Sequence, residues 1–497
     1  MSSSALIGGS SLITVAAAIV RTKFVAILLG PGGLGVMGIL TSMTTLVGTL
    51  TGMGITTAGV RRIAETAGTA DDQRITRTTV AIRQIMLRLG LIGGVVVALF
   101  RVPISRLTFG TSAYTTDIAL LSVVVVVGAV TDGYLVILQG LRRMGDLAQV
   151  AISGAVISLV LSVPIAYVWR QSAVVALLIA AAAASLVSAW WYARRVEIAP
   201  VTLTWRETFE ELKPLVSIGL VSMNAALMVA GMAYVVRLMI VRRLGVEAAG
   251  MYQSATALSG VYCGFILGAM GADLLPRLAS VSSSDAECNR LVNEQTEVGL
   301  LLALPGVCGT LTFAPLIIHT LYSSQFALAT DVLRWQVLGV FLRVASWPMG
   351  YLLIAKGEAR IYLWSEISYN AVHAALIWIF VRLWGLEGTG MAFFGLYIYY
   401  LLMMSVLVHR RSGFTWSLPN RHLVTVAVPI IAAVFMSRMM LSSPWDVIVA
   451  AITTVSVGLY SLRTLVALVE REGAGASFDH QRRFIRMARQ KVAALMK

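Results

Sequence analysis

The chain has 497 residues, of which 58% are hydrophobic and only 13% are charged, and its formal net charge is +15. Soluble proteins contain about 25% charged residues, so this composition, with a mean hydropathy of +0.82, excludes a water-soluble globular protein and indicates a polytopic membrane protein. The basic residues form short clusters between apolar segments, which argues against nucleic-acid binding and favours contact with anionic lipid or an anionic substrate.

Apolar segments long enough to cross a bilayer, which requires about 20 residues per helix, follow one another along the chain. They lie near 5–29, 34–58, 84–100, 117–138, 148–168, 173–192, 215–241, 250–273, 298–319, 332–354, 361–381, 388–408, 423–440 and 446–468. The predicted fold class is therefore an all-α polytopic membrane protein with about 14 transmembrane helices. The first segment lacks a basic region and a cleavage site, so we expect a retained helix and not a signal peptide.

The distribution of lysine and arginine predicts that both termini face the cytoplasm. With this orientation, 25 basic residues fall in cytoplasmic segments and 6 in external segments, as the positive-inside rule requires. The longest external segment covers only 101–116, which leaves no room for the extramembrane catalytic platform of a polymerase or ligase. We therefore expect no enzymatic activity and no cofactor. The three cysteines lack a CxxC spacing, so they predict neither a disulfide framework nor a metal site.

Short matches at a nearly constant offset indicate an internal repeat. At an offset of 215, Leu29-Gly30 and Gly35 correspond to Leu244-Gly245 and Gly250. The other matches, in chain order, are Arg62-Ile63-Ala64 with Arg277-Leu278-Ala279, Thr116-Asp117 with Thr330-Asp331, and Gly133-Tyr134-Leu135 with Gly350-Tyr351-Leu352. Spans 1–6 and 7–12 are thus predicted to be two copies of one six-helix unit in parallel orientation. Transporters built this way place the substrate between the two lobes.

The repeat defines four segments of the chain. We expect an N-terminal lobe over 1–200, a C-terminal lobe over 201–410, spans 13 and 14 over 411–470 and a cytoplasmic tail over 471–497. Within the spans, glycines recur at four-residue spacing, which favours close helix packing. These glycines are Gly48 and Gly52 on span 2 and Gly260, Gly264 and Gly268 on span 8.

Charged residues inside the spans are costly and usually mark a transport pathway. Arg21 and Lys23 precede Gly30 by nine and seven residues, and Arg237 precedes Gly245 by eight. At 1.5 Å per residue, all three lie roughly 10–14 Å from the external end of their spans. Two repeat-related helices are thus predicted to bring three cations to one depth, which suits a phosphate group. The alternative is that these side chains extend to the external interface.

Three further charges lie within predicted spans. Arg343 is near the middle of span 10, Glu366 is in span 11, and Asp132 is about two turns from the cytoplasmic end of span 4. Asp132 or Glu366 could bind a coupling proton or cation, or each could neutralise a nearby arginine. We favour the second interpretation.

Three motifs resemble the polysaccharide flippases, the O-antigen and lipid III translocases of the MATE-like MOP superfamily. They are the external turn Leu29–Gly35, the segment Leu274-Leu275-Pro276-Arg277-Leu278, and Trp335-Gln336 followed by Gly350-Tyr351-Leu352-Leu353-Ile354-Ala355-Lys356. The resemblance covers roughly residues 5–410. It implies translocation of undecaprenyl-pyrophosphate-linked oligosaccharide from the cytoplasmic to the periplasmic leaflet. It also implies that Arg21, Lys23, Arg237 and the span 10 cation, Arg343, contact the pyrophosphate.

Two features depart from the family pattern. Relatives carry an acidic residue three positions before the span 10 cation, whereas this chain has Val340, which weakens the transfer of any ion-coupling scheme. The fourteen predicted spans also exceed the twelve of the shorter relatives. They resemble the lipid II flippase branch, in which the additional pair forms a groove for the lipid tail.

The main prediction is therefore a flippase of the bacterial inner membrane that acts by alternating access. Its implied partners are the lipid-linked oligosaccharide, inner-membrane lipids, and polysaccharide polymerase and chain-length proteins, with the chain itself a monomer. The alternative is a MATE-type antiporter that exports cationic drugs or metabolites, which would require acidic residues facing the cavity. A third alternative, a polytopic polymerase or ligase, is disfavoured by the short external segments.

The C-terminal tail has the pattern of a basic amphipathic helix. Over 479–497, Phe484, Ala488, Val492 and Leu495 share one face, and five basic residues lie mostly on the other. Such a helix is expected to lie along the anionic inner leaflet, after a flexible hinge at 473–477. A disordered or partner-binding tail is the alternative.

Overall fold

The computed structural model describes residues 3–67, 72–196, 201, 203–440 and 445–472, and every regular element in these ranges is helical. The helices are α1 (Ser3–Gly52), α2 (Ile55–Ala67), α3 (Asp72–Leu99), α4 (Arg101–Phe109), α5 (Thr115–Gly140), α6 (Met144–Trp169), α7 (Val174–Ala193), α8 (Trp205–Leu244), α9 (Val246–Ser280), α10 (Asp285–Leu321), α11 (Ala329–Ala355), α12 (Ala359–Trp384), α13 (Glu387–Ser412), α14 (Leu418–Met440) and α15 (Trp445–Glu472). The all-α polytopic fold class is thereby confirmed.

Twelve of these helices are long and apolar enough to cross a membrane, or thirteen if the two bent parts of α9 form one span. The predicted count of fourteen is approximate, because α1 is counted as one helix although it covers predicted span 1 and most of predicted span 2. Two short helices occupy parts of the chain that the hydropathy pattern left largely in connecting segments. They are α2, on the cytoplasmic side of the predicted topology, and α4, on its external side.

The described chain forms two compact units. The first comprises Met1–Ser254, Ile318–Ala329 and Ile377–Leu386, and the second comprises Ala255–Ile317, Thr330–Leu376 and Glu387–Lys497. The lobes that the repeat suggests, 1–200 and 201–410, stay a prediction.

Each unit has a hydrophobic core in which repeat-related residues occupy comparable places. In the first unit, Ile63 is fully buried and packs in a cluster with Ile137 of α5. In the second unit its repeat partner Leu278 is fully buried and packs in a cluster with Leu352 of α11. Apolar burial on this scale stabilises a helix by roughly 1.5–3 kcal/mol per large side chain in water, but in lipid the same packing acts mainly through close contact.

Two repeat-related glycines have the same backbone conformation. Gly30, inside α1, has φ +66° and ψ −172°, and Gly245, at the end of α8, has φ +88° and ψ 176°. This combination is essentially restricted to glycine, since any Cβ would clash with the neighbouring backbone. Both repeats thus end their first span with the same unusual conformation, 215 residues apart.

The predicted packing role of the four-residue glycine series is wrong for all five positions in the described chain. A Cβ placed on Gly48, Gly52, Gly260, Gly264 or Gly268 has no described heavy atom within 4 Å. Gly48 and Gly52 line an open cavity instead. The spacing alone cannot distinguish a packed helix face from a cavity wall, because both require small residues.

Helices α14 and α15 belong to the second unit and pack against its other helices in part through polar contacts. The buried Arg334 of α11 donates to the carbonyl of Phe435 on α14. The amide of Asn420 on α14 donates to the carbonyl of Asn293 on α10, and the hydroxyls of Thr312 and Thr454 lie 3.2 Å apart. The tail predicted over 471–497 lies outside the described residues, apart from the last two residues of α15.

The start of α8 carries a capping box. The Thr204 hydroxyl accepts from the backbone N–H of Glu207, and the Thr204 backbone N–H donates to the Glu207 carboxylate at 2.8 Å. These bonds, with the Thr204 hydroxyl donating at 2.7 Å, lower the pKa of Glu207, and the nearby Arg77 contributes. The box satisfies backbone groups that a helix terminus otherwise leaves unpaired.

Thr204→Ala is therefore expected to destabilise the protein by about 1 kcal/mol at neutral pH. Because the carboxylate is the favoured form, the contribution is present above the usual pKa of a glutamate and is lost as the pH falls through the lowered pKa. The difference between wild type and variant in thermal unfolding of the detergent-purified protein should thus shrink on acidification. Equal unfolding temperatures at neutral pH would contradict the role of the cap.

Candidate functional site

Two glycines bring α1 into backbone contact with the junction of α8 and α9. A Cβ on Gly35 would lie 1.9 Å from the carbonyl oxygen of Val246, and a Cβ on Gly250 would lie 1.8 Å from the carbonyl oxygen of Pro31. The contact is nearly symmetric, as the 215-residue repeat requires. It fixes the ends of the first segment of α1 and of α8 next to each other, and thereby the depth of the cations that these helices carry.

Arg237 is held by neutral groups. Its Nε and Nη2 both donate to Oε1 of Gln253 on α9, at 3.0 and 2.7 Å, and its Nη1 donates to the carbonyl of Ala233 at 2.9 Å. A guanidinium has five N–H donors, so two remain, one on each terminal nitrogen. Because these partners carry no charge, the full positive charge of Arg237 is retained, and two donors are available for two oxygens of one phosphate.

Arg21 is also oriented by a neutral partner. Its Nε donates to the hydroxyl of Ser162 on α6 at 2.9 Å. Its Nη2 is buried and has no hydrogen-bond partner among the described residues. A buried donor on a cation is costly when it is unsatisfied, so this position is suited to an anionic group.

Lys23 has a different environment from Arg21. Its side chain is exposed, whereas Arg21 is partly buried against α6. Two residues correspond to about 200° of rotation in a helix, so the two cations project from opposite faces of α1. The structure therefore does not bring them together at one point, although they lie at a similar depth.

Arg343 and Glu366 lie in the second unit among tyrosines. The guanidinium carbon of Arg343 is 5.8 Å from the ring centre of Tyr397, whose hydroxyl is 3.1 Å from that of Tyr369. The hydroxyl of Tyr400 donates to Glu366 at 3.4 Å. Among the described residues, neither Glu366 nor Arg343 forms an ion pair.

Asp132 is exposed in a cavity of about 560 Å³ within the first unit. The cavity lies between α1, α2, α5, α7 and α8, and many of its wall residues are threonines, serines or glycines, including Thr44, Thr45, Thr49 and Thr131. No basic residue is among its described lining, so Arg21, Lys23 and Arg237 lie outside it. Asp132 forms no ion pair with a described residue.

The cavity threonines were not predicted from the sequence, because a hydroxyl within a span is a weaker signal than a charge or a glycine. A usable signal was present: seven threonines lie among the glycines of span 2, over 34–58, and another precedes Asp132 directly. Hydroxyl-bearing residues clustered next to glycine on one helix are typical of a polar cavity wall.

A family profile described as "Polysaccharide biosynthesis protein" matches residues 24–331. The lipid III flippases of Escherichia coli (strain K12) and Shigella flexneri are each 24% identical to this chain over 400 residues, which cover 79% of this chain and 94% of the relative.

Solved structures share the fold at low identity. The lipid II flippase MurJ in an inward closed conformation matches with a TM-score of 0.69 and 14% identity, over 93% of this chain and 99% of that one. An inward-facing multidrug resistance MATE transporter of the MOP superfamily matches with a TM-score of 0.65 and 18% identity, over 80% and 94%. The chain therefore shares the fold of these two transporters, and it is a multi-pass membrane protein.

Proposed function

The chain belongs to the family of polysaccharide biosynthesis proteins, and from this premise we propose that it is a flippase for lipid-linked oligosaccharide. The substrate is an undecaprenyl-pyrophosphate-linked repeat unit, which moves from the cytoplasmic to the periplasmic leaflet by alternating access. The polyprenyl tail stays in lipid while the charged and sugar-bearing head group crosses through a polar path between lobes.

The observation that carries the proposal is the environment of Arg237. Two N–H donors remain on a guanidinium that only neutral groups hold, inside a span where a charge has a high cost. An anionic head group compensates that cost, and a cationic drug does not. The lipid III flippases are the curated relatives with matching length, which favours the same substrate class here.

A drug antiporter of the MATE type shares the fold, so the fold does not distinguish the two. The charge of the substrate distinguishes a flippase from a drug antiporter. Arg21 and Arg237, on repeat-related helices, favour an anionic substrate. The proposed transport breaks no covalent bond, so the protein is not proposed to be an enzyme. Polymerisation of repeat units by the purified protein would contradict this.

We infer a location in the bacterial inner membrane with both termini in the cytoplasm. The basic residues of the predicted cytoplasmic segments support this orientation. A monomer suffices for two-lobe alternating access, and polysaccharide polymerase and chain-length proteins are the proposed protein partners, since they act on the translocated product.

Deletion of the gene is expected to abolish the surface polymer and to leave its lipid-linked repeat unit on the cytoplasmic leaflet. The measurement is accessibility of the lipid-linked sugar to a membrane-impermeant lectin in right-side-out and inverted vesicles, with plasmid-borne wild type as the control. Intact surface polymer in a deletion strain without a paralogue, or a changed drug susceptibility alone, would overturn the proposal.

A further inference from the structure

Four threonine hydroxyls that line the cavity of the first unit, three on α1 and one on α5, have their hydrogens bonded to backbone carbonyls. Each of these four, among the six threonines of the lining, donates to a carbonyl of its own helix: Thr44 to Thr41 at 2.8 Å, Thr45 to Thr41 at 2.9 Å, Thr49 to Thr45 at 2.8 Å and Thr131 to Val127 at 2.8 Å. A hydroxyl has one hydrogen and two lone pairs. Once its hydrogen is committed, it offers only lone pairs to a ligand.

Asp132 adds further hydrogen-bond acceptors to the cavity. An ionised carboxylate only accepts hydrogen bonds, and Asp132 is exposed to the cavity next to Thr131. Lone pairs on these threonines repel phosphate oxygens, which are themselves acceptors. This wall of the cavity is therefore unsuited to the pyrophosphate and suited to a ligand with many O–H and N–H donors.

The size and shape of the cavity exclude a bare cation as its ligand. Its volume of about 560 Å³ falls within the ~300–1,000 Å³ of small-molecule sites and is far larger than a bare cation requires. The α1 hydroxyls extend over about 7 Å along the helix axis, at 1.5 Å per residue, whereas cation ligands must converge on one point.

Three glycines keep the cavity open. Gly48 and Gly52 on α1 and Gly128 on α5 line it, and a Cβ on any of them would meet no described heavy atom within 4 Å. Because these three residues have no side chain, they leave empty volume beside the threonines. They do not allow a closer contact between helices.

We propose that this cavity binds the sugar portion of the translocated lipid, with the threonine oxygens and Asp132 accepting from sugar hydroxyl and amide groups. The inference rests on the proposed function and adds that the two parts of the head group bind at separate sites. The cations bind the pyrophosphate, and the threonine-lined cavity binds the glycan.

The test compares two probes on the full-length protein in lipid nanodiscs. One is undecaprenyl pyrophosphate without sugar, and the other is the lipid-linked oligosaccharide extracted from membranes of the host bacterium. Gly48→Leu and Gly128→Leu fill the cavity from two of its helices, α1 and α5, and Asp132→Asn replaces an acceptor by an amide that also donates. Gly458→Leu on α15 is the matched control, because its Cβ likewise meets no described heavy atom within 4 Å and it lies outside the cavity lining.

Each cavity variant is expected to weaken binding of the glycosylated lipid at least tenfold while binding of the sugar-free lipid changes less than twofold. The Gly458→Leu variant should bind both probes like wild type. Equal losses of affinity for the two probes would show that the cavity binds the pyrophosphate or that the variants are misfolded. Unchanged affinity for both probes would show that the cavity binds neither the sugar nor the pyrophosphate. A changed sodium or proton dependence with unchanged glycan affinity would make it a cation site. Each of these three results overturns the inference.

The wild-type measurement separates this inference from the function on which it rests. If wild type binds neither lipid, the proposed function fails. If wild type prefers the glycosylated lipid and the cavity variants retain that preference, only the assignment of this cavity fails.

Discussion

Gly35→Val is expected to abolish transport by preventing the folded state from forming. The new Cβ would lie 1.9 Å from the Val246 carbonyl oxygen, and backbone on both sides of the contact would have to move. Overpacking of this kind costs about 3 kcal/mol or more, which is a large fraction of the stability of a typical protein. The measurements are the amount of monodisperse protein by size-exclusion chromatography and complementation of the deletion strain.

The repeat provides an internal test of the same contact. Gly250→Val should be equally damaging, since its Cβ would lie 1.8 Å from the Pro31 carbonyl oxygen. Gly264→Val is the matched control, because its Cβ meets no described heavy atom within 4 Å. Normal yield and full complementation by Gly35→Val would show that the backbone contact is absent from the functional protein.

Arg237→Ala is expected to reduce export of the repeat unit at least tenfold while leaving protein level and membrane insertion unchanged. Hydrogen bonds to charged groups contribute roughly 1.5–3 kcal/mol, and the alanine variant loses both donors that Gln253 and Ala233 leave available. Arg21→Ala should act in the same direction, because its buried Nη2 has no described partner in the protein. The measurement is the ratio of surface polymer to immunoblotted protein in the complemented deletion strain.

The lysine variant distinguishes charge from geometry. Arg237→Lys preserves the charge but offers a compact ammonium in place of a planar two-nitrogen group, so a strong defect would support contact with two phosphate oxygens. A mild defect would indicate that charge alone matters. If both alanine variants complement fully, the proposed contact between these arginines and the pyrophosphate is wrong.

Much of the fold could be predicted from hydropathy and the repeat. The conformations of Gly30 and Gly245 are equivalent, as four short sequence matches implied. Helices α2 and α4 were missed because they are short and less apolar than the spans. Residues in such helices contribute little to the average hydropathy by which spans are found.

The candidate site was less predictable, because depth along a helix does not determine direction around it. Arg21 and Lys23 were expected at one depth, yet they project from opposite faces of α1. Their separation by two residues already implied this. The neutral partners Gln253 and Ser162 were not predictable, since their contacts with the arginines depend on how different helices pack. Whether all the predicted cations contact the pyrophosphate stays a prediction.

The polar contacts of Asn293 have a consequence for the order of synthesis. Its side chain and carbonyl bond with Thr415, Ser417 and Asn420, which are 122 to 127 residues later in the chain. Ribosomes add about 5–20 residues per second, so α10 is made roughly 6–25 s before these partners emerge. The hydrogen bonds of Asn293 therefore wait for the start of α14, and a nascent chain that stops after α13 would leave this side-chain amide incompletely bonded inside the second unit.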